Sequence, residues 1–192
     1  MTTTQMIKDS LALGEKIIEE ITDVVQEGKK HLDITTFGYR RFLLNGQSFG
    51  FSDNPDWNIN FLERFSGMRI PNYELALETF LSTKKSKFLR VGVPDKDDHY
   101  ANVLYEKDIW NSLCLYQHNK NKKYIDCFFL CSKKDNVKIL EAYVNEQSFI
   151  ESWLGAVNQR LEGCLDENKH LSQFSNTVKS EILKTLLSTK LL

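Results

Sequence analysis

The segment from Thr35 to Ser52 constrains the fold most, because its pattern is typical of a β-hairpin. Residues 35–44 are rich in β-branched and aromatic side chains, which favour strands. Asn45-Gly46 then supplies the two residues that adopt positive φ in a type I′ turn. Residues 47–52 return as a second strand. Two strands joined by so short a turn predict an antiparallel sheet.

Helices are predicted on both sides of this hairpin. Residues 5–27 carry apolar side chains at helical spacing, and Gly28 is the predicted stop of that helix. After the hairpin, one of the polar residues at 52–54 is predicted to cap a helix whose first turn contains Pro55. The apolar residues of that helix are Trp57, Phe61, Leu62 and Phe65.

The rest of the chain alternates between helical and strand patterns. The predicted helices cover residues 72–81, 101–105, 137–144, 149–165 and 175–187, with Asp135 or Asn136 capping the third of these. The predicted strands cover residues 87–93, 110–118 and 124–132. A polar loop, PDKDDHY, precedes the helix at 101–105, and a polar turn, NKNKK, joins the last two strands.

The last two strands are apolar on both faces, which requires cover on both sides. We therefore predict an α/β (α+β) fold, an α/β/α sandwich with a five-stranded antiparallel sheet and helices on both faces. The first and last helices are expected on one face, and the middle helices on the other. Residues 1–170 are predicted to form the domain, and residues 171–192 a short helical tail.

Composition excludes several classes of protein. The chain has 192 residues, a formal net charge of −1 and 41% hydrophobic residues, so nothing drives it generally toward nucleic acid or an anionic membrane. No run approaches the ~18 apolar residues of a membrane helix, and the N-terminus lacks a secretory signal pattern. The four cysteines lie in apolar segments, which favours buried free thiols and a cytoplasmic location.

A zinc site on the last hairpin is the strongest alternative chemistry. A two-residue turn would place Cys114 opposite Cys127, with His118 and Cys131 further along the same two strands. Residues four apart in a strand are about 13 Å apart, too far to share one tetrahedral ion. Acidic pairs such as Asp97-Asp98 fall in polar turns, where solvation and capping explain them. We therefore predict no metal, no cofactor and no enzymatic activity.

Aromatic side chains are the better indication of a site. Several rings come from the predicted sheet and from the helix that follows the hairpin, and tyrosine hydroxyls among them need hydrogen-bond partners. Such a set suits a pocket in which a few polar groups orient an apolar ligand. The predicted ligand-binding residues are Phe37, Tyr39, Trp57, Phe61, Tyr73, Trp110 and Tyr116.

Two stretches resemble the sensory domain of LuxR-type transcription regulators, in the branch with a PAS-like module. They are ITTFGYRRFLLNGQSFGFSDNPDW and the run from Asn111 to Leu154, in which Asn136, Ile139, Tyr143, Asn145 and Ile150 fit the family's helical pattern. The resemblance implies a PAS-like sandwich with a pocket between the sheet and the middle helices. Trp57 and Phe61 match the family's tryptophan and tyrosine spacing, but the acidic partner expected near Ile70 or Asn72 is absent. The ligand is therefore expected to differ from an acyl-homoserine lactone.

The resemblance also implies how the chain acts. LuxR-type regulators continue into a DNA-reading helix-turn-helix of about 60 residues, whereas this sequence ends at Leu192. The expectation is a small-molecule sensor for transcription regulation that acts through a homodimer or a heterodimer with a full-length relative, without direct nucleic-acid contact. Both a stand-alone protein and a fragment are consistent with the sequence. The alternative function is a ligand-free protein–protein interaction domain on the same fold.

Overall fold

The computed structural model shows an α+β fold built on an antiparallel sheet. It describes residues 3–43, 47–55, 57–58, 87–92, 99–119, 124–167 and 176–177. The strands are β1 (Thr36–Leu43), β2 (Gln47–Ser52), β3 (Lys87–Gly92), β4 (Ser112–Asn119), β5 (Tyr124–Cys131) and β6 (Asn176–Thr177). Their order in the sheet is β3-β4-β5-β1-β2-β6. The predicted count of five strands is therefore not confirmed, because the two-residue β6 pairs with β2.

Helices cover one face of this sheet. They are α1 (Thr3–Leu32), α3 (Ile139–Asn145) and α4 (Gln147–Glu167), while the short α2 (His99–Glu106) precedes β4. We call the covered side the helical face. Its strand residues include Phe37, Tyr39, Phe128 and Leu130, which share one buried core with Ile17 and Val157 of the helices. Helices α1 and α4 thus share a face. The last predicted helix, at 175–187, lies almost entirely outside the described residues.

The predicted hairpin forms, but its register differs by one residue from that of a two-residue turn at Asn45-Gly46, which would pair Leu44 with Gln47. The pairing of Phe42 with Ser48 leaves three residues, 44–46, between the strands. Strand β1 pairs with β2 in antiparallel register, with Tyr39 opposite Phe51 and Phe42 opposite Ser48. Strand β1 also pairs with β5 along its other edge, which makes β1 a central strand. Asn45-Gly46 lies outside the described residues.

The register between β4 and β5 differs from the prediction by two residues. Cys114 was predicted opposite Cys127, but it lies opposite Phe129, and Tyr116 lies opposite Cys127. The last paired residues are Asn119 and Tyr124, so four residues separate the strands instead of two. Because side chains alternate with a period of two, this shift leaves every side chain on its predicted face.

Helix α1 continues past Gly28, so the predicted stop at this glycine is wrong. The helix ends at Leu32, and Asp33 follows with a φ of 53°. Gly28 instead makes room for the indole of Trp153: an added Cβ would lie 2.0 Å from its Cε2 atom. The Trp153 Nε1 also donates a hydrogen bond of 2.7 Å to the Val24 carbonyl. The lack of a side chain at position 28 therefore serves helix packing.

Of the two predicted helix caps, the one after the hairpin is confirmed and the one before α3 is wrong. Asn54 caps the turn after the hairpin, because its Oδ1 accepts a hydrogen bond of 3.1 Å from the Trp57 backbone amide. The predicted cap of α3 by Asp135 or Asn136 is wrong. Lys138 occupies the cap position without a side-chain hydrogen bond, and the Asn136 amide donates to Asp33 across the fold at 3.0 Å.

Several predicted features lie outside the described residues. They are the helix from Phe61 through Leu62 to Phe65, the helix at 72–81 with Tyr73, Val93, and most of the tail at 171–192. Within that tail, Asn176 and Thr177 are strand residues paired with β2, although a helix was predicted from Ser175. No helix in the described part of the chain has both the length and the apolarity needed to cross a membrane.

Candidate functional site

The predicted site residues divide between the two faces of the sheet. Phe37 and Tyr39 lie on the helical face and are fully buried in its core. The Phe37 ring packs 6.2 Å from Trp153 of α4, and the Tyr39 ring 5.5 Å from Phe51. Both side chains therefore fill the interior between the sheet and the helices. The prediction that they share one pocket with Trp57 is wrong, because adjacent strand residues alternate in direction and the even-numbered residues of β1 face the other way.

Trp57 and Tyr116 lie on the opposite side of the sheet. The half-buried Trp57 ring packs 5.8 Å from Phe129, and Tyr116 is opposite Cys127 in the register. Trp110 precedes β4 and packs edge-on against Tyr105 of α2 at 4.9 Å. Phe61 and Tyr73, the two remaining predicted ligand contacts, lie outside the described residues.

We call this second side the Arg40 face. It comprises the residues whose direction alternates with that of the helical face, namely Thr36, Gly38, Arg40 and Phe42 of β1, Cys114, Tyr116 and His118 of β4, and Ile125, Cys127, Phe129 and Cys131 of β5. Nearly all of them are buried, as are the polar side chains of Arg40, Tyr116 and His118, which are 3%, 1% and 6% exposed. Buried polar groups among aromatic and aliphatic side chains are the usual composition of a small-molecule site.

Arg40 lies on this face with its Nε close to Gly50 of β2. Arg40 is opposite Gly50 on β2 and opposite Cys127 on β5. A Cβ at Gly50 would lie 3.0 Å from the Arg40 Nε, so the glycine leaves room for this side chain. Burial of a charge is costly unless hydrogen-bond acceptors compensate it. Arg40 also interacts within the chain.

Thiols are the second chemical group on the Arg40 face. All four cysteines are free and buried. Burial raises the pKa of Cys127 well above its usual value, and hydrogen bonding with Cys114 raises it further, while Tyr116 and Arg40 act in the opposite direction. Burial also raises the pKa of Cys131. These groups are therefore protonated thiols at neutral pH, which makes them poor nucleophiles.

The structure does not assemble a metal site from these thiols. Among the residues it describes, no group of three or more histidine, cysteine, aspartate or glutamate side chains is placed to hold an ion.

A polar network occupies the end of the helical face nearest α4. The Tyr39 hydroxyl donates to Asp126 at 2.7 Å, and Arg41 donates to the same carboxylate through its Nε at 2.8 Å and its Nη2 at 3.1 Å. Arg41 also donates to Glu162 of α4, which accepts a further hydrogen bond of 2.8 Å from Tyr124. The Arg41 guanidinium lies 3.6 Å from the centre of the Tyr124 ring. This network joins the sheet to α4.

The charged and polar groups of this network compensate one another through hydrogen bonds and ion pairs. Burial raises the pKa of Asp126, while the hydrogen bonds from Arg41 and Tyr39 act in the opposite direction. Burial also raises the pKa of Tyr39 and of Tyr124, with the neighbouring carboxylates adding to both shifts. Its hydrogen bonds run between groups of the chain itself, so the cluster stabilises the fold.

A groove of about 750 Å³ runs along the outer side of α1 and α4. Its α1 side carries three acidic residues, Glu20, Asp23 and Glu27, and its α4 side carries Ala156, Gln159 and Gly163. Arg160 bridges the two helices through a hydrogen bond of 2.8 Å to Asp23. The groove is acidic and open, in contrast to the buried Arg40 face.

Sequence reasoning missed Arg40, although the sequence contains an indication of its role. Two arginines are adjacent at 40 and 41 in a predicted strand. Alternation places one of them on each face, and a strand covered on both faces must then bury two charges. Arg41 finds its carboxylates on the helical face. The same reasoning applied to Arg40 would have placed a buried cation on the other face.

Comparison with known proteins does not assign the chain to a family. No protein-family model matches the chain, and no curated protein matches its sequence. The site is therefore interpreted from its own residues.

Proposed function

We propose that this chain is a small-molecule-sensing, LuxR-like regulatory domain that binds its ligand on the Arg40 face and acts through dimerisation or partner binding. The observation that carries the proposal is the composition of that face. Arg40 of β1 and Tyr116 and His118 of β4 are all buried on this face, which also carries apolar side chains such as Phe42 and Phe129. An apolar surface with a few polar groups is suited to orienting a ligand.

The architecture supports the same proposal. The resemblance to LuxR-type sensory domains implies an α/β/α sandwich with a pocket between the sheet and the middle helices. Helices α1 and α4 pack on the helical face, and Trp57 approaches the Arg40 face at Phe129. The ligand contacts that we propose are therefore Trp57, Tyr116 and Arg40. Phe37 and Tyr39 are assigned to the core.

Native mass spectrometry of the freshly purified protein tests this function. We expect a mass excess of a few hundred daltons that disappears on denaturation, together with a dimer. Tyr116→Phe should reduce the occupied fraction, because it removes a hydroxyl from the Arg40 face. Tyr143→Phe is the matched control: it removes a buried hydroxyl that bonds to the Leu130 carbonyl on the helical face at 3.2 Å. A protein that carries no small molecule under any expression condition would contradict the sensor.

A protein–protein interaction domain is the second candidate, and the groove between α1 and α4 favours it. The groove presents Glu20, Asp23 and Glu27 beside the small residues Ala156 and Gly163. A surface of this kind suits a basic segment of a partner protein. Charge-reversing substitutions at Asp23 and Glu27 that abolish partner binding, in a protein without bound ligand, would favour this function over the sensor.

A further inference from the structure

The turn after β2 connects the two faces of the sheet. Trp57 packs 5.8 Å from Phe129 on the Arg40 face. Asp53, four positions earlier in the chain, forms an ion pair with Lys29 of α1, a helix of the helical face. One short segment therefore contacts the Arg40 face at one end and a covering helix of the opposite face at the other.

Hydrogen bonds within this segment hold its two ends together. The Asn54 Oδ1 accepts from the Trp57 amide at 3.1 Å, and the Asn54 amide donates to the Ser52 hydroxyl at 3.1 Å. The side chain of Asn58 donates to the Ser52 carbonyl at 2.7 Å. Because these bonds cap and close the turn, we expect Trp57 and Asp53 to move together.

The ion pair between Lys29 and Asp53 ties the turn to α1. The two side chains are 13% and 9% exposed, so solvent screens their attraction weakly. Lys29 also donates to the Thr35 carbonyl at 2.8 Å, and Asp53 accepts from the Phe37 amide at 2.8 Å. Separation of this pair would leave two buried charges uncompensated. The end of α1 is therefore expected to follow Asp53.

The same end of α1 holds α4. Gly28, adjacent to Lys29, accommodates the ring of Trp153, whose Nε1 donates to the Val24 carbonyl at 2.7 Å. The Trp153 ring also packs 6.2 Å from Phe37 of β1. Trp153 thus contacts both α1 and the sheet, so its surroundings change whenever the helices shift relative to the sheet.

We propose that the Lys29–Asp53 ion pair couples the Arg40 face to helices α1 and α4. Coupling between two distant sites requires an element whose arrangement both sites affect, and the turn at Asp53 contacts both. The inference rests on the proposed function, since it gives the route by which a molecule on the Arg40 face would alter the helices available for dimerisation or partner binding. Lys29 is a positioning residue in this route.

Fluorine NMR of the full chain labelled with 5-fluorotryptophan tests the coupling without a ligand. The label gives one resonance for each of the three tryptophans, assigned by tryptophan-to-phenylalanine variants. Phe129→Leu is the perturbation, because it removes the ring on which Trp57 packs. We expect the resonances of Trp57 and Trp153 to shift. Trp110, which packs on Tyr105, is the internal reference and should shift less than Trp153.

Variants of Lys29 assign the response to the ion pair. In Lys29→Met the response of Trp153 to Phe129→Leu should be lost, while that of Trp57 remains. Lys29→Arg should keep the response, because a guanidinium also pairs with a carboxylate. Lys30→Met is the matched control, since the neighbouring Lys30 is exposed on α1. An unchanged Trp153 response in Lys29→Met, or a shift of Trp57 alone in the native background, would overturn the proposal.

A second variant covers the case in which Lys29→Met does not fold. Asp53→Asn removes the charge and keeps an acceptor for the Phe37 amide, and it should also abolish the Trp153 response. Retention of the response in Asp53→Asn would overturn the proposal.

The outcome is separable from the proposed function. A chain that carries no small molecule but shows the Lys29-dependent response would contradict the sensor and leave the coupling intact. A chain that carries a small molecule but lacks the response would overturn the coupling alone.

Discussion

The hydroxyl of Tyr39 donates a hydrogen bond of 2.7 Å to the carboxylate of Asp126 beneath helix α4. Both residues are buried, at 0% and 2% exposure. The same carboxylate holds Arg41, which in turn reaches Glu162. An aromatic residue predicted to contact a ligand is thus part of a structural network.

Removal of this hydroxyl should destabilise the fold. Hydrogen bonds to charged groups contribute about 1.5–3 kcal/mol, and those to neutral groups about 0.5–1.5 kcal/mol. We expect Tyr39→Phe to lower the free energy of unfolding by about 2 kcal/mol and Tyr143→Phe, whose hydroxyl bonds to a carbonyl, by about 1 kcal/mol. Urea denaturation of both variants measures the difference. A loss in Tyr39→Phe no larger than in Tyr143→Phe would argue against an ionised Asp126.

Alanine substitutions at three helical glycines should change the stability of the protein in different directions. Gly28→Ala places a methyl group 2.0 Å from the Trp153 ring, so we expect a loss of about 3 kcal/mol or more from overpacking. Gly155→Ala and Gly163→Ala meet nothing within 4 Å and should each stabilise the protein by about 0.5–1 kcal/mol through helix propensity. Thermal and urea unfolding provide the measurement. A neutral Gly28→Ala variant would contradict the packing of α4 on α1.

Thiol chemistry should be slow in the folded protein. The four cysteines are buried, and burial raises the pKa of Cys127 and of Cys131. Because the thiolate is the reactive form, we expect no fast reaction with an aromatic disulfide reagent at pH 8, and four reactive thiols after unfolding. Ser152→Cys serves as the control, since Ser152 is exposed on α4. Rapid labelling of Cys114, Cys127 or Cys131 would show that the Arg40 face opens readily, whereas Cys164 lies on α4 beside Glu20.

Alkaline pH should destabilise the protein through its buried phenols. Burial raises the pKa of Tyr39, Tyr124 and Tyr143 in the folded state. Above about pH 10 the unfolded chain releases these protons while the folded chain retains them, so stability falls as pH rises. Absorbance at 295 nm should show delayed ionisation of these three among the seven tyrosines. The delay should shrink by one group in Tyr124→Phe, and ionisation of all seven near pH 10 in the folded state would contradict this burial.

Local sequence patterns predicted most of the described elements. The hairpin, the three later strands and the helices before and after them follow from alternation, helical spacing and turn residues, which are local properties. Gly28 could not be interpreted from its neighbours, because its role depends on Trp153, 125 positions later in the sequence. The same holds for Asn136, which bonds to Asp33 instead of capping α3.

The candidate site was harder to predict than the fold. Aromatic residues on β1 and on the helix after the hairpin are compatible with either face until the covering helices are known. Phe37 and Tyr39 face α1 and α4, so their rings pack in the core. Arg40 indicates the position of the candidate site better than the aromatic residues do. A charged side chain is stable at few positions of a buried strand, whereas an aromatic ring is stable on either face of the sheet.

The packing of the Trp153 ring against Gly28 fixes the position of α4 along the axis of α1. A slide of one turn in either direction would bring the indole onto Val24 or Leu32, whose side chains occupy the volume that the glycine leaves empty. We therefore expect the two helices to move as one rigid body relative to the sheet. A displacement at the sheet would then shift the outer surfaces of both helices together.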